Sequence, residues 1–235
     1  MSSKLTKLRV CFRKFFLVWE RVGVQWRLHL LIQVFLAIFF LWTQYWIVNQ
    51  SDQNGIDDIK DQARQTADGL INGLNLLMVT GRISDHASRE LLIQKMSMSE
   101  NVKKLRIIRS DQVNAQYGIG LPSEQQRDDN IVSVLNTGQQ MFIRESDPSG
   151  SSTLRAIIPF VASENFRGTN CLSCHDVKSG SVNGVADIYF DLTRHDASIV
   201  EIRERMWTEI LFFQILLSLP TSPRFSVARG FRVRG

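Results

Sequence analysis

An apolar stretch without a charged side chain, residues 28–48, constrains this chain more than any other feature. It holds about 21 residues, and a helix rising about 1.5 Å per residue then reaches about 30 Å, the thickness of the hydrocarbon core of a bilayer. Trp26, Trp42 and Trp46 lie towards its ends, where membrane interfaces favour aromatic side chains. The sequence therefore predicts a transmembrane helix, because a cleaved signal peptide is shorter and ends in small residues.

Basic residues gather at the two ends of the chain and account for its net charge of +5. They are Lys4, Lys7, Arg9, Arg13, Lys14, Arg21 and Arg27 at the start, and Arg224, Arg229, Arg232 and Arg234 at the end. Positive charge next to a membrane helix marks its cytoplasmic side. Residues 1–27 are therefore expected in the cytoplasm of a bacterium, with the inner membrane at 28–48 and the main domain, 49–205, in the periplasm. Nucleic acid is not an expected partner, because the middle of the chain is nearly neutral.

The motif C-x-x-C-H at residues 171–175 is the attachment sequence of a c-type haem. The thiols of Cys171 and Cys174 would bind the porphyrin, and His175 would ligate its iron. The alternatives are a redox dithiol, a disulfide or half of a zinc site. A redox dithiol is more typical of a strand-to-helix turn, and a zinc site needs further ligands, whereas only Cys11 remains. The expected position outside the membrane, where bacteria attach c-type haem, favours covalent haem c as the cofactor.

The region 49–205 has the pattern of an α+β domain. Helices are predicted at about 56–80, continuing from the membrane helix, at 85–98, at 127–135 and at 193–206, and strands at 102–110, 139–145, 152–162 and 184–192. A turn is expected at 147–150, and Gly81 is a plausible end for the long helix.

Several short motifs, taken in order, are similar to one known family. They are NGLNLLMVTG at 72–81, LRIIR at 105–109, QYGIG at 116–120, LNTG at 135–138 and the C-x-x-C-H motif with the strand that follows it. Over residues 50–205 the chain resembles the c-haem, PAS-like periplasmic sensor domains of bacterial methyl-accepting chemotaxis receptors and related membrane sensor proteins. The resemblance implies a PAS-like antiparallel sheet, packed against a long N-terminal helix that continues from the transmembrane helix.

The same resemblance implies a haem pocket with His175 as one iron ligand and a residue of the long helix as the other. Met78 fills that position best, although a methionine on an apolar helix face is commonly a core residue. The competing ligands are Met96, Met98, His86 and His195, and an iron open to water or a gas is the remaining alternative. Sensor domains of this kind commonly act as homodimers, so a homodimer is a further expectation.

Four other residues are candidates for contacts with the haem. Arg106 and Arg109 are candidates for pairing with the propionates, although charges beside a strand are more often simply solvated. Phe160 and Phe166 are candidates for packing against the porphyrin or for filling the core.

The last segment, 206–235, departs from the family. Residues 207–219 begin as a second membrane segment but are too short to span, and Pro220 and Pro223 interrupt them. Family members continue into a signalling module, so the sequence predicts an incomplete second membrane segment with a basic tail, most simply a truncated product. A native interfacial tail is the alternative.

Three functions remain open at this level. The first is a membrane-anchored periplasmic c-haem sensor for redox or small-ligand signals, without its output module. The second is a membrane-tethered cytochrome that passes electrons to a redox partner. The third is a haem-free extracytoplasmic domain that binds a small ligand, with Cys171 and Cys174 in a disulfide. An enzyme is not expected, because no nucleophile, paired carboxylates or second metal constellation stands out.

Overall fold

A computed structural model describes residues 24–146, 151–166 and 168–218. The predicted turn at 147–150, the tail from 219 onward and most of the N-terminal basic segment lie outside the described residues. The helices are α1 (Val24–Val79), α2 (His86–Ser97), α3 (Asp111–Tyr117), α4 (Asp129–Thr137) and α5 (Thr193–Ser218), and the strands are β1 (Val102–Arg109), β2 (Met141–Ser146), β3 (Ser152–Val161) and β4 (Val182–Asp191). The chain divides into two compact units, Gln50–Val200 and the described parts of residues 1–49 and 201–235.

Helix α1 contains both the apolar stretch and the long helix predicted to follow it, so the expectation of one continuous helix is confirmed. It ends where expected, because Gly81 takes a left-handed φ of 71° and the N–H of Arg82 bonds to the carbonyl of Leu77 at 2.8 Å. Among the described residues, α1 is the helix that is long and apolar enough to cross a membrane. The most apolar window of this helix is 6% buried, and Phe35 is 67% exposed, so this stretch is compatible with a membrane span.

The first unit pairs the apolar stretch of α1 with the later part of α5. The Gln33 amide donates to the carbonyl of Leu217 at 2.9 Å, and the Gln44 amide approaches the carbonyl of Arg203 at 3.5 Å. The two segments therefore run antiparallel. Hydrogen-bonding amides are a common way to join helices whose remaining surfaces are apolar. The helix predicted at 193–206 is confirmed and continues to Ser218.

In the second unit, four antiparallel strands form one open sheet in the order β1-β4-β3-β2. Strands β2 and β3 form a hairpin, and β4, the last strand in sequence, lies between β1 and β3. The α+β class is therefore confirmed. Because β4 is central, the loop that precedes it is held at one end of the sheet.

Each face of the sheet is covered by a different group of side chains. The first core cluster contains Ala63, Ala67, Leu70 and Leu74 of α1 and, from the strands and the β4–α5 junction, Leu105, Ile107, Leu154, Ala156, Ala186, Ile188, Phe190 and Leu192. The second core cluster consists of Ile108, Ile131, Val134, Ile157 and Val185 and lies under α4. Since both faces of β1 are covered, its apolar residues do not alternate with polar ones, which explains the imperfect pattern in the sequence.

Four charged residues form a cluster on the α4 side of the sheet, the buried charge cluster, in which Asp187 and Arg155 are buried, Arg106 is half-buried and Asp128 is exposed. The carboxylate of Asp187, fully buried on β4, accepts hydrogen bonds from the guanidinium groups of Arg106 on β1 and Arg155 on β3. Arg155 also pairs with Asp128 at 2.6 Å. Asp128 caps α4 by accepting from the N–H of Ile131. The cluster therefore ties three strands to the start of α4.

Candidate haem-binding site

The C-x-x-C-H motif lies in the loop between β3 and β4, and the base of this loop is closed by backbone hydrogen bonds. The N–H of Ala162 bonds to the carbonyl of Ser181, and the N–H of Gly180 bonds to the carbonyl of Ala162, both at 2.8 Å. Within the loop, the N–H of Cys171 bonds to the carbonyl of Ser163 at 3.0 Å. The motif is thus held against the end of β3.

The motif itself folds as a 3-10 turn, Cys171–Ser173, capped by the side chain of Asn170. The carbonyl of Cys171 accepts from the N–H groups of Cys174, at 3.3 Å, and His175, at 3.0 Å. This turn brings both thiols and the imidazole together. Cys171 is half-buried, Cys174 is exposed, and both are free thiols.

His175 is buried, with 8% of its surface exposed, and its Nδ1 atom has no hydrogen-bond partner among the described residues. Buried imidazole nitrogens normally have a partner, so this atom marks a place where another group fits. Burial, and then the positive charge of Arg109, lower the pKa of His175. The imidazole is therefore neutral at pH 7, which is the form that ligates a metal.

Two residues at the end of α3 hold the loop from the other side. The Gln116 amide donates to the carbonyl of Cys174 at 2.9 Å and accepts from the N–H of Asp176 at 3.0 Å. The hydroxyl of Tyr117 donates to the same carbonyl, and its ring packs edge-to-face on His175 with centroids 5.4 Å apart. Sequence reasoning did not assign these contacts, because a single sequence does not show that residues 116 and 174 meet.

Met78, the predicted second ligand, is half-buried near the end of α1 and packs against the first core cluster. The structure thus brings Cys171, Cys174 and His175 together, whereas Met78 has the surroundings of a core residue, and its role as a ligand stays a prediction.

The competing ligands have well-defined places in the fold. His86 is exposed at the start of α2, as expected, and Met98 is 69% exposed. Met96 packs against the first core cluster, beside Gly69. His195 bonds to Asp52 at 3.0 Å, so its imidazole already has a partner away from the loop.

Of the two arginines considered for the propionates, Arg106 is occupied elsewhere. Its guanidinium group bonds to Asp187 and, at 3.1 Å, to Gln126, as part of the buried charge cluster and its surroundings. The idea that Arg106 pairs with a propionate is therefore not supported by its contacts. Arg109 lies close enough to His175 to lower its pKa, and it donates to the carbonyl of Gly118 at 3.1 Å.

The two phenylalanines differ in their surroundings. Phe160 packs against the first core cluster, as a core residue would. Phe166 is half-buried in the loop, where its backbone pairs with that of Thr169 at 2.8 and 2.9 Å. Phe166 is therefore the aromatic residue that belongs to the same loop as the motif.

Two other features of the described residues, a cluster of possible cation ligands and a polar cavity, lie away from the loop. Asp52, His195 and Asp196 lie close enough to share a cation, but the guanidinium group of Arg144 already pairs with both carboxylates. A polar cavity of about 410 Å³ lies between the start of α3, the end of α4 and the start of β4. It is lined by none of the four predicted haem residues, so neither feature competes with the loop.

A scan against models of known protein families found no match, and a search among curated proteins also found none.

Proposed function

We propose that this chain is a membrane-anchored domain that carries one c-type haem on the C-x-x-C-H loop and senses redox or small-ligand signals in the periplasm. One observation carries the proposal. The loop presents two free thiols and a buried, neutral imidazole whose Nδ1 atom has no partner among the described residues. These are the three protein groups that covalent haem c requires.

Each residue has a distinct task in this proposal. Cys171 and Cys174 form the thioether bonds, and His175 binds the iron through its imidazole. Burial keeps His175 neutral and shields it from water. The bound haem would supply an iron that changes its oxidation state or its small-molecule ligand.

The membrane placement is part of the proposal. Helix α1 is compatible with a membrane span, and the basic residues that precede it favour a cytoplasmic N-terminus. The C-x-x-C-H loop would then lie in the periplasm of a bacterium. The PAS-like character of the α+β domain is proposed from the resemblance of the sequence motifs.

Signalling would use α1, because Met78 and the apolar stretch belong to this one uninterrupted helix. If Met78 ligates the iron in one state and not in another, the position of α1 on the sheet would differ between the two states. The moving element would then be the helix that enters the membrane.

The test is an absorption spectrum and an intact mass of the full chain, produced together with the c-haem maturation machinery and solubilised in detergent. We expect a Soret band, sharp α and β bands on reduction, and a mass increased by one haem that survives denaturation. The double variant Cys171→Ser/Cys174→Ser is the control and should lack this mass. A wild-type chain without covalent haem, or with a disulfide instead, would overturn the proposal in favour of a haem-free ligand-binding domain.

The role of Met78 is tested separately with Met78→Ala, and Met96→Ala serves as a matched control from the same core cluster. Loss of the weak sulfur-to-iron band of the oxidised protein in Met78→Ala alone would identify Met78 as the second ligand. An unchanged band in Met78→Ala would show that Met78 only fills the core.

A second function, electron transfer by a tethered cytochrome, is favoured by the exposure of the loop. Ser173, Cys174 and Asp176 are all exposed, so a redox partner would have access to this edge. Limited proteolysis of the full chain in the oxidised and reduced states separates the two functions. A sensor would show a redox-dependent pattern along α1, and a simple electron carrier would not.

A further inference from the structure

We propose that Gln116 is a positioning residue for His175, an inference that rests on the proposed attachment of haem to this loop. Gln116 does not touch the imidazole. Its side-chain amide holds the main chain on both sides of His175, and so sets the direction in which the imidazole presents its nitrogen atoms.

The geometry is bidentate. The Nε2 atom of Gln116 donates to the carbonyl of Cys174 at 2.9 Å, and its Oε1 atom accepts from the N–H of Asp176 at 3.0 Å. These two groups belong to the peptide units that flank His175. An amide is the neutral side chain that offers a donor and an acceptor in one plane, so it matches this pair of peptide groups as a carboxylate or an alkyl group does not.

Helix α3, which carries Gln116, is held in place by several contacts. Ser110 caps α3 by accepting from the N–H of Val113, and its own N–H bonds to the carbonyl of Asn183 next to the start of β4. Val113 is buried, and Asn114 pairs with Gln125 through their amides. Helix α3 therefore does not need the loop in order to keep its position.

The other hydrogen bonds of the loop do not fix the orientation of the His175 imidazole. Its N–H bonds to the carbonyl of Cys171, which fixes the turn, but its Nδ1 atom has no partner among the described residues. In many metal sites the ring nitrogen that does not bind the metal bonds to a protein group, and this bond orients the ring. Here the ring is oriented by the edge-to-face contact with Tyr117 and by the backbone clamp of Gln116.

The test compares Gln116→Ala, Gln116→Glu and the control Gln112→Ala in the full chain, produced with haem and solubilised in detergent. Gln112 is exposed one turn earlier on α3, so it controls for the same change of helix propensity. Glutamate has the size of glutamine but cannot donate to the carbonyl of Cys174. A loss in this variant therefore cannot be attributed to side-chain volume.

We expect all variants to keep covalent haem, because the thiols and His175 are unchanged. Partners of metal ligands commonly change metal affinity about tenfold or more. Gln116→Ala and Gln116→Glu should affect the ferric and ferrous forms unequally, and a difference of about tenfold changes the equilibrium constant for one-electron reduction about tenfold, which is about 59 mV. The paramagnetic resonance spectrum of the ferric iron, which responds to the plane of an axial imidazole, should change with it. The amide of Asp176 should also exchange its hydrogen faster in Gln116→Ala.

The outcomes separate this inference from the proposed function. If haem is bound and both Gln116 variants have the potential and spectrum of Gln112→Ala, this inference is overturned and the proposed function stands. If the wild-type chain binds no haem, both are overturned. Circular dichroism reports on folding, and if Gln116→Ala does not fold, the isosteric Gln116→Glu decides.

Discussion

The face of the sheet covered by α1 is apolar throughout its core, whereas the face covered by α4 carries a fully buried carboxylate between two guanidinium groups. Apolar contacts have no preferred direction, so they hold α1 without fixing its exact register. The hydrogen bonds of the buried charge cluster are directional and fix α4 to three strands. We infer that α1 is able to shift slightly on its face of the sheet, whereas the buried charge cluster holds α4 in place on the other face.

This difference agrees with the proposed sensor, in which α1 moves while the sheet and α4 stay in place. The helix that carries Met78 lies on the face whose buried core is apolar, and its hydrogen bonds to the rest of the unit, such as Asp52 to His195 and Arg64 to Gln140, lie outside that core. Glycine residues allow α2 to pack closely on α1, since a Cβ atom at Gly73 would lie 2.7 Å from the side chain of Leu92. A side chain at residue 73 would therefore require Leu92 to move.

The largest expected effect follows from Asp187→Ala, which leaves Arg106 and Arg155 without their shared carboxylate. Removing one partner from a buried ion pair costs about 3–5 kcal/mol. We expect the free energy of unfolding of the Gln50–Val200 unit to fall by that amount, measured by circular dichroism with denaturant on the full chain in detergent. The triple variant Arg106→Met/Asp187→Leu/Arg155→Met should cost much less, because the buried charges are removed together and the carboxylate of Asp128, which loses Arg155, is exposed to water. If Asp187→Ala lowered the free energy of unfolding by less than about 1 kcal/mol, the buried charge cluster would not be what holds α4 in place.

On the opposite face, Leu70→Ala is expected to cost about 3 kcal/mol. Leu70 is fully buried in the first core cluster, so the loss combines reduced apolar burial with a cavity. Leu76→Ala is the control, because Leu76 lies on the same helix but is 64% exposed. Equal effects of the two substitutions on the denaturation midpoint would show that α1 is not held by this cluster.

Asp128→Ala should have a smaller effect, about 1 kcal/mol at pH 7, because it removes the cap of α4. Burial by itself raises the pKa of Asp128, but the N–H of Ile131 and the guanidinium group of Arg155 outweigh it, so the pKa lies below the usual 3.8. The carboxylate therefore stabilises the fold fully above about pH 4, and this contribution is lost as the pH falls through the lowered pKa.

Unfolding of wild type and Asp128→Ala should consequently become more alike as the pH is lowered below 4. The exposed pair of Asp57 with Lys60 supplies the control, because Asp57→Ala should change stability by less than about 0.5 kcal/mol. A difference between wild type and Asp128→Ala that persists unchanged at low pH would show that the Asp128 carboxylate does not act through its charge.

The sequence was sufficient for the long helix, the strands and the position of the motif loop, because each has a strong local pattern. Helix α3 was missed, since its seven residues are too few to show a helical period, and its cap at Ser110 stands directly after a strand. The buried charge cluster was also missed. Arg106 and Asp187 meet only because β1 pairs with β4, far away in sequence, and a charged residue on a strand is usually a solvated one.

The local sequence pattern also predicted only part of the candidate haem-binding site. The spacing of Cys171, Cys174 and His175 predicted that these three residues act together, and they share one turn. The residues that orient this turn, Gln116 and Tyr117, come from an element some 60 residues earlier, since Gln116 bonds to Asp176 across 60 positions. Such long-range partners leave no trace in the local pattern of one sequence.

The place of β4 in the sheet also determines the order in which the domain can assemble during synthesis. Strand β1 is joined to the β2–β3 hairpin only through β4, which is the last strand to be made. The ribosome therefore completes Cys171, Cys174 and His175 before the sheet can close. Under the proposed attachment of haem, both thiols and the imidazole would therefore be present before β4 joins the two halves of the sheet.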